Sequence, residues 1–121
     1  MLLTPLRAAI CAGCLIPGAA SADRAALEAY VGAFEAGDIA ACEATFAPGA
    51  RFIDLGRDLS DRIPWFCDAV IASGGGYVVS GVATQSRTTT AAFVYEAGTY
   101  RASGMITLQG EDGLIRSLVI E

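Results

Sequence analysis

At 121 residues the chain has room for one domain, and with 54% hydrophobic residues that domain can bury a core despite its size. It contains no Lys, no His and no Asn, and 13 Asp and Glu outweigh 8 Arg for a net charge of −5. That balance argues against nucleic acid and anionic membranes as partners, removes the commonest general base and neutral metal ligand, and leaves no Asn-X-Ser/Thr acceptor.

The first 22 residues, MLLTPLRAAICAGCLIPGAASA, carry one charge, Arg7, ahead of a short apolar run from Ala8 to Ile16. Pro17 and Gly18 break the run, and Ala20-Ser21-Ala22 supplies the small residues that a signal peptidase reads. Residues 1–22 are therefore expected to be a secretory signal peptide, cleaved after Ala22, with export to the periplasm or the medium. The run is too short for a membrane span. The domain then comprises residues 23–121.

Asp23 can cap a helix that starts at once. Leu27, Tyr30, Val31 and Phe34 fall at i, i+3, i+4 and i+7, one apolar stripe, and Gly37 ends the helix. Asp38 can cap a second, short helix on which Ile39, Cys42 and Phe46 share a face, stopped by Pro48-Gly49. A brief strand, Arg51 to Leu55, and a loop from Gly56 to Asp61 follow. Pro64 suits the first turn of a third helix, apolar on most sides through Trp65, Phe66, Cys67, Val70 and Ile71. After Gly74-Gly75-Gly76, β-branched and aromatic residues dominate, and strands are expected at about 77–85, 87–96, 100–109 and 114–120. Helices first and an antiparallel meander second predict an α+β domain with its helices on one face of the sheet.

Few residues here carry chemistry. There is no Gly-X-Ser-X-Gly elbow, no phosphate loop and no carboxylate cluster at metal-binding spacing, so no metal and no cofactor are expected. Cys42 and Cys67 are the two thiols left after cleavage; an even pair in an exported domain suggests a disulfide, while their place on buried helices also suits two inert thiols. Phe34, Trp65, Phe66 and Phe93 can line a pocket or fill an ordinary core. Arg57 and Arg101 can meet an anionic group or simply be solvated.

The segments Tyr30-Val31-Gly32-Ala33-Phe34-Glu35-Ala36-Gly37-Asp38-Ile39, Phe46-Ala47-Pro48-Gly49-Ala50-Arg51-Phe52-Ile53-Asp54 and Gly113-Leu114-Ile115-Arg116-Ser117-Leu118 resemble the nuclear transport factor 2-like superfamily, which includes the SnoaL-like cyclases and the ketosteroid isomerases. The resemblance covers essentially the whole mature chain. It implies a cone: a curved, mainly antiparallel sheet wrapped around N-terminal helices, open at one end to a small apolar ligand. It also implies that Asp54 corresponds to the isomerases' general base and Tyr30 to their oxyanion-binding tyrosine. Those enzymes complete the oxyanion site with a protonated acid. Gly104 stands at that place here, and no neighbouring acid replaces it.

The expected function is an exported domain that binds a small apolar molecule, with Phe34 and Trp65 against the ligand. The alternatives are a cofactor-independent isomerase, cyclase or dehydratase using Asp54 and Tyr30, and a module that forms a homodimer through the sheet face. Asp54 follows Phe52 by two residues, so both should leave their strand on the same face. Asp58, in the next loop, is expected to have no such role.

Overall fold

The computed structural model describes residues 18–121, with side chains from Ala22 onward. The elements run α1 (Gly18–Ala36), α2 (Ile39–Ala44), β1 (Phe46–Asp54), β2 (Arg57–Asp58), α3 (Ile63–Ala72), β3 (Gly76–Gln85), β4 (Thr88–Ala97), β5 (Tyr100–Glu111) and β6 (Leu114–Ile120). They form one six-stranded sheet in the order β2-β1-β6-β5-β4-β3. All neighbours are antiparallel except β1 and β6, which run parallel. This is the expected α+β cone, with the N-terminal helix against the concave face of the sheet.

The apolar stripe of α1 sets that packing. Leu27, Tyr30 and Phe34 are buried with Ala26 and Ala33, and Val31 sits half-buried at the stripe's edge. The helix lies along β3, β4, β5 and β6, where Ala91 and Phe93 on β4 and Ile106 and Leu108 on β5 point inward at every second position, while on β6 Ile115 and Leu118 do so three residues apart, next to the register shift between Gln109 and Gly110. Gly37, at φ +65°, ends α1, and the Asp38 carboxylate caps α2 by accepting from the Ala41 N–H at 3.0 Å.

Two local expectations need correction. Helix α1 is already formed at Gly18, where the described residues start, and not only after Asp23, because the Ala-rich residues before Asp23 are good helix formers. Asp23 therefore sits inside the helix, 3% exposed, and is not a cap. It presses on the β5–β6 hairpin so closely that a Cβ at Gly110 would overlap its carboxylate. Phe46 does not share the face of α2. That helix stops at Ala44, and Phe46 opens β1 opposite Ile115. The strand then continues through Pro48 and Gly49, with its register shifting between Phe46 and Arg51, where Gly49 takes φ +74°. The proposed signal segment falls almost wholly on residues 1–17, outside the described residues.

Cys42 on α2 and Cys67 on α3 are joined in a disulfide, their Cα atoms 5.9 Å apart. The bond fastens α3 to α2, and α3 in turn forms one wall of the site below. No helix among the described residues is long and apolar enough to cross a membrane.

Candidate functional site

A cavity of about 280 Å³ lies between α3 and the inner face of the sheet. Each element contributes through its own periodicity. From β1, the inward positions are Ala50, Phe52 and Asp54. Phe52 is fully buried in the aromatic core and Asp54, 8% exposed, reaches the cavity. The two do share a face. From α3, Trp65, Phe66, Ala69, Val70 and Ser73 line one side. The sheet supplies Tyr77 on β3, Phe93 and Tyr95 on β4, Ala102 on β5 and Ile120 at the end of β6. Leu55, Trp65 and Tyr100 line the cavity yet are about half exposed, which makes them its mouth.

The polar groups on this wall are few. Asp54 Oδ2 accepts from Arg57 Nη2 at 3.1 Å, and the Arg57 side chain itself is largely in solvent. The pair sits at the end of the β1–β2 hairpin, where Asp54 and Arg57 are opposite each other in register. Arg57 thus neutralises the carboxylate from the mouth side without sealing it from the cavity. Ser73, Tyr77, Tyr95 and Tyr100 bring further hydroxyls to the lining; of these, the Tyr77 hydroxyl is tied to the core. It accepts from the Tyr30 hydroxyl at 3.0 Å. A hydroxyl that accepts this bond still has its own proton to give, and Tyr77 lines the cavity.

Tyr30 itself is 0% exposed and does not line the cavity. Its ring packs edge-on against Phe34 and Phe46 and lies tilted against the Tyr77 ring. Burial is the main reason its phenol is held well above the ordinary tyrosine range, with Tyr77 beside it adding to the effect. Burial also raises Tyr77, reinforced by the nearby Asp54 charge and opposed by the Tyr30 hydrogen bond. Both phenols therefore stay protonated at neutral pH and act as donors.

The other sequence-marked residues divide cleanly. Trp65 is at the mouth, with the Arg62 guanidinium stacked 4.4 Å above its ring. Phe34 is core, 5% exposed, between Tyr30, Phe66 and Tyr77. Phe66 and Phe93 line the cavity. Arg101 pairs with Glu96 on the sheet. Asp58 is not an idle loop residue: it accepts from the Ser60 N–H at 3.0 Å and the Ser60 hydroxyl at 2.6 Å, which lowers its carboxyl below the usual range. Ser60 Oγ in turn accepts from the Phe52 N–H, tying this loop to β1. Tyr77, Tyr95 and Tyr100 are not among the residues that the sequence pattern singles out, although the odd-numbered inward positions of Tyr77 on β3 and of Phe93 and Tyr95 on β4 were available as a signal.

Gly104 faces inward beside Phe93. A Cβ there would overlap the backbone carbonyl of Glu121, which exchanges two hydrogen bonds with Met105, at 2.8 and 2.9 Å. Main chain thus fills the space that a side chain at position 104 would take. Among the described residues, no group of three or more His, Cys, Asp or Glu could hold a metal ion.

No family model matches the chain, and no curated protein matches it. Solved structures do. A protein from Sinorhizobium meliloti assigned as a polyketide cyclase is similar with a TM-score of 0.67 at 19% identity, over 79% of this chain and 93% of its own. One from Kribbella flavida assigned as a ketosteroid isomerase gives 0.70 at 14% identity, over 83% and 76%. An LEH-like epoxide hydrolase from Mycobacterium tuberculosis gives 0.65 at 15% identity, over 81% and 79%.

Proposed function

On the premise that this chain has the nuclear transport factor 2-like fold, we propose that it binds a small, mainly apolar molecule in the cavity under α3, with Asp54 and Tyr77 as the polar anchors. The observation that carries this reading is the buried Asp54 carboxylate on a mostly apolar wall, which Tyr77 shares with a few other hydroxyl-bearing residues. Ligand sites typically take that form, with a few polar groups fixing orientation in an apolar pocket. The volume is at the small end of the range for ligand pockets, which suits a molecule of one or two rings. The neighbours in fold are named for chemistry on small molecules, and the same fold supports many chemistries, so the fold alone supplies no reaction.

Proton transfer without a cofactor is the second reading. Asp54 would take a proton from carbon next to a carbonyl while Tyr77, backed by Tyr30, donates to the carbonyl oxygen. Returning that proton to another carbon gives an isomer. The shared cavity of Asp54 and Tyr77 favours this reading. The ion pair with Arg57 and the main chain filling the Gly104 position weigh against it, so binding remains the first reading.

Two further features belong to this proposal. The outer sheet face presents rows of uncharged residues, Val78–Val94–Ser103 and Ser80–Ala92–Met105, with Val78 and Met105 exposed; this supports a homodimer through the sheet face. The Cys42–Cys67 bond supports export, since disulfides persist mainly in oxidising compartments. Native mass spectrometry of the protein purified from its own host tests the main claim. A co-purifying small organic molecule supports it, and bare protein under all gentle conditions speaks against it. N-terminal sequencing of the exported fraction should begin at Asp23.

A further inference from the structure

Two hairpins in this chain use the same turn. In the β1–β2 hairpin, Asp54 pairs with Arg57, leaving the two-residue loop Leu55-Gly56. In the β5–β6 hairpin, Glu111 pairs with Leu114, leaving Asp112-Gly113. Both central residues have positive φ in each: 50° and 86° in the first, 54° and 80° in the second. Positive φ at both positions is the turn that matches strand twist, and it calls for Asn or Asp followed by Gly. Asp112-Gly113 obeys. Leu55-Gly56 does not, because a leucine has neither the missing Cβ nor the short polar side chain that makes the left-handed region tolerable.

Leu55 cannot relax out of this conformation. The Asp54–Arg57 register fixes the loop at two residues, and the Leu55 N–H donates to the Ile120 carbonyl at 2.8 Å. Nor is the strain offset by burial, because Leu55 is 51% exposed. The side chain nevertheless lines the cavity mouth beside Asp54, Arg57 and Trp65. A residue that is unfavourable for its turn and only half-covered has its use in an encounter absent from the free protein.

We infer that Leu55 is a strained rim residue that closes over the bound molecule, so that its unfavourable turn conformation is the stability given up for ligand affinity. The inference rests on the cavity being the ligand site. It names a specificity element: the ligand must offer an apolar surface at the mouth, next to the polar group held by Asp54 and Tyr77. An ionic or strongly hydrated outer end would be refused.

The test uses 2-naphthol, a two-ring probe whose hydroxyl can donate to Asp54 and accept from Tyr77, read by its fluorescence. Leu55→Asn and Leu55→Gly are compared with the wild type and with Asp112→Leu. Both Leu55 variants should raise the melting temperature of the free protein, by about 4 °C for Asn. Both should weaken 2-naphthol binding about fivefold, the loss expected for about half a leucine's contact. Asp112→Leu places the same strain far from the cavity, and should lower the melting temperature while leaving affinity unchanged. Unchanged binding in both Leu55 variants, or a lower melting temperature in both, overturns the inference alone. A wild type that does not bind 2-naphthol overturns the cavity reading, and the rim role falls with it.

Discussion

Tyr30 donates its hydroxyl proton to Tyr77 across 3.0 Å, from a place with no solvent exposure to one on the cavity wall. The bond divides labour between two phenols. On the proposed reading, Tyr30 holds and polarises, and Tyr77 meets the ligand. Tyr77→Phe should therefore weaken 2-naphthol binding about fivefold, the equivalent of a neutral hydrogen bond of about 1 kcal/mol. Tyr30→Phe should instead lower stability by about 1 kcal/mol and change binding less than twofold. Fluorescence titration and urea unfolding of both variants separate the roles, and the opposite pattern would return Tyr30 to the direct contact.

The same two phenols predict an alkaline limit. Each has its folded-state pKa raised, mainly by burial. An acid of this kind keeps its proton in the folded state after the unfolded chain has begun to lose it, so its contribution is fully present below about pH 10 and declines as pH rises above that. Urea midpoints measured from pH 8 to 11.5 should be level at first and then fall. Tyr30→Phe should flatten part of the fall. A wild-type midpoint that holds steady through pH 11.5 would contradict the burial of the pair.

The disulfide closes a span of 25 residues between α2 and α3. Chain-entropy reasoning gives it about 3 kcal/mol of stability. The double variant Cys42→Ser/Cys67→Ser should lose about that much in urea unfolding. Intact-mass analysis of the processed, unreduced protein after alkylation should find no labelled thiol; two labels would refute the bond in the exported form.

Gly104→Asp would add an acid where the resemblance to the isomerases expects one, and the structure predicts that it fails. The added Cβ would overlap the Glu121 carbonyl and break the Met105–Glu121 hydrogen-bonded pair. Destabilisation of at least about 2 kcal/mol should follow, with no gain of isomerase activity. Thermal unfolding decides it: a variant as stable as the wild type would mean that β5 has room for a third polar group.

Much of this architecture is written in local pattern. The α1 stripe through Leu27, Tyr30 and Phe34 specifies a helix with one buried face, and the two-residue step from Phe52 to Asp54 carries a carboxylate inward on the strand's own period. What local pattern cannot carry is depth. Tyr30 on α1 and Tyr77 on β3 are both inward tyrosines, and it takes the packing of helix on sheet to put Tyr77 on the cavity wall and Tyr30 behind it. Likewise Phe34 and Trp65 are equally aromatic, yet one is enclosed by Tyr30, Phe66 and Tyr77 and the other stands at the mouth under Arg62. Phe46 was ambiguous for another reason. A residue just past a short helix can complete its face or begin the next strand, and its pairing with distant Ile115 settles the choice.

The central claim is that Asp54 anchors the ligand and does not hold the fold together. Its partner Arg57 is largely solvent-exposed, so loss of the ion pair should cost little stability. Asp58 is unsuitable as a control because it secures Ser60, whereas Asp68, exposed on α3, serves. The most direct measurement is the 2-naphthol dissociation constant of wild type, Asp54→Ala and Asp68→Asn, taken with the melting temperature of each. The account predicts at least about tenfold weaker binding for Asp54→Ala, the loss of a hydrogen bond to a charged group, with its melting temperature within a few degrees of wild type and Asp68→Asn unchanged in both. An Asp54→Ala protein that binds as the wild type does, or that unfolds, would contradict it.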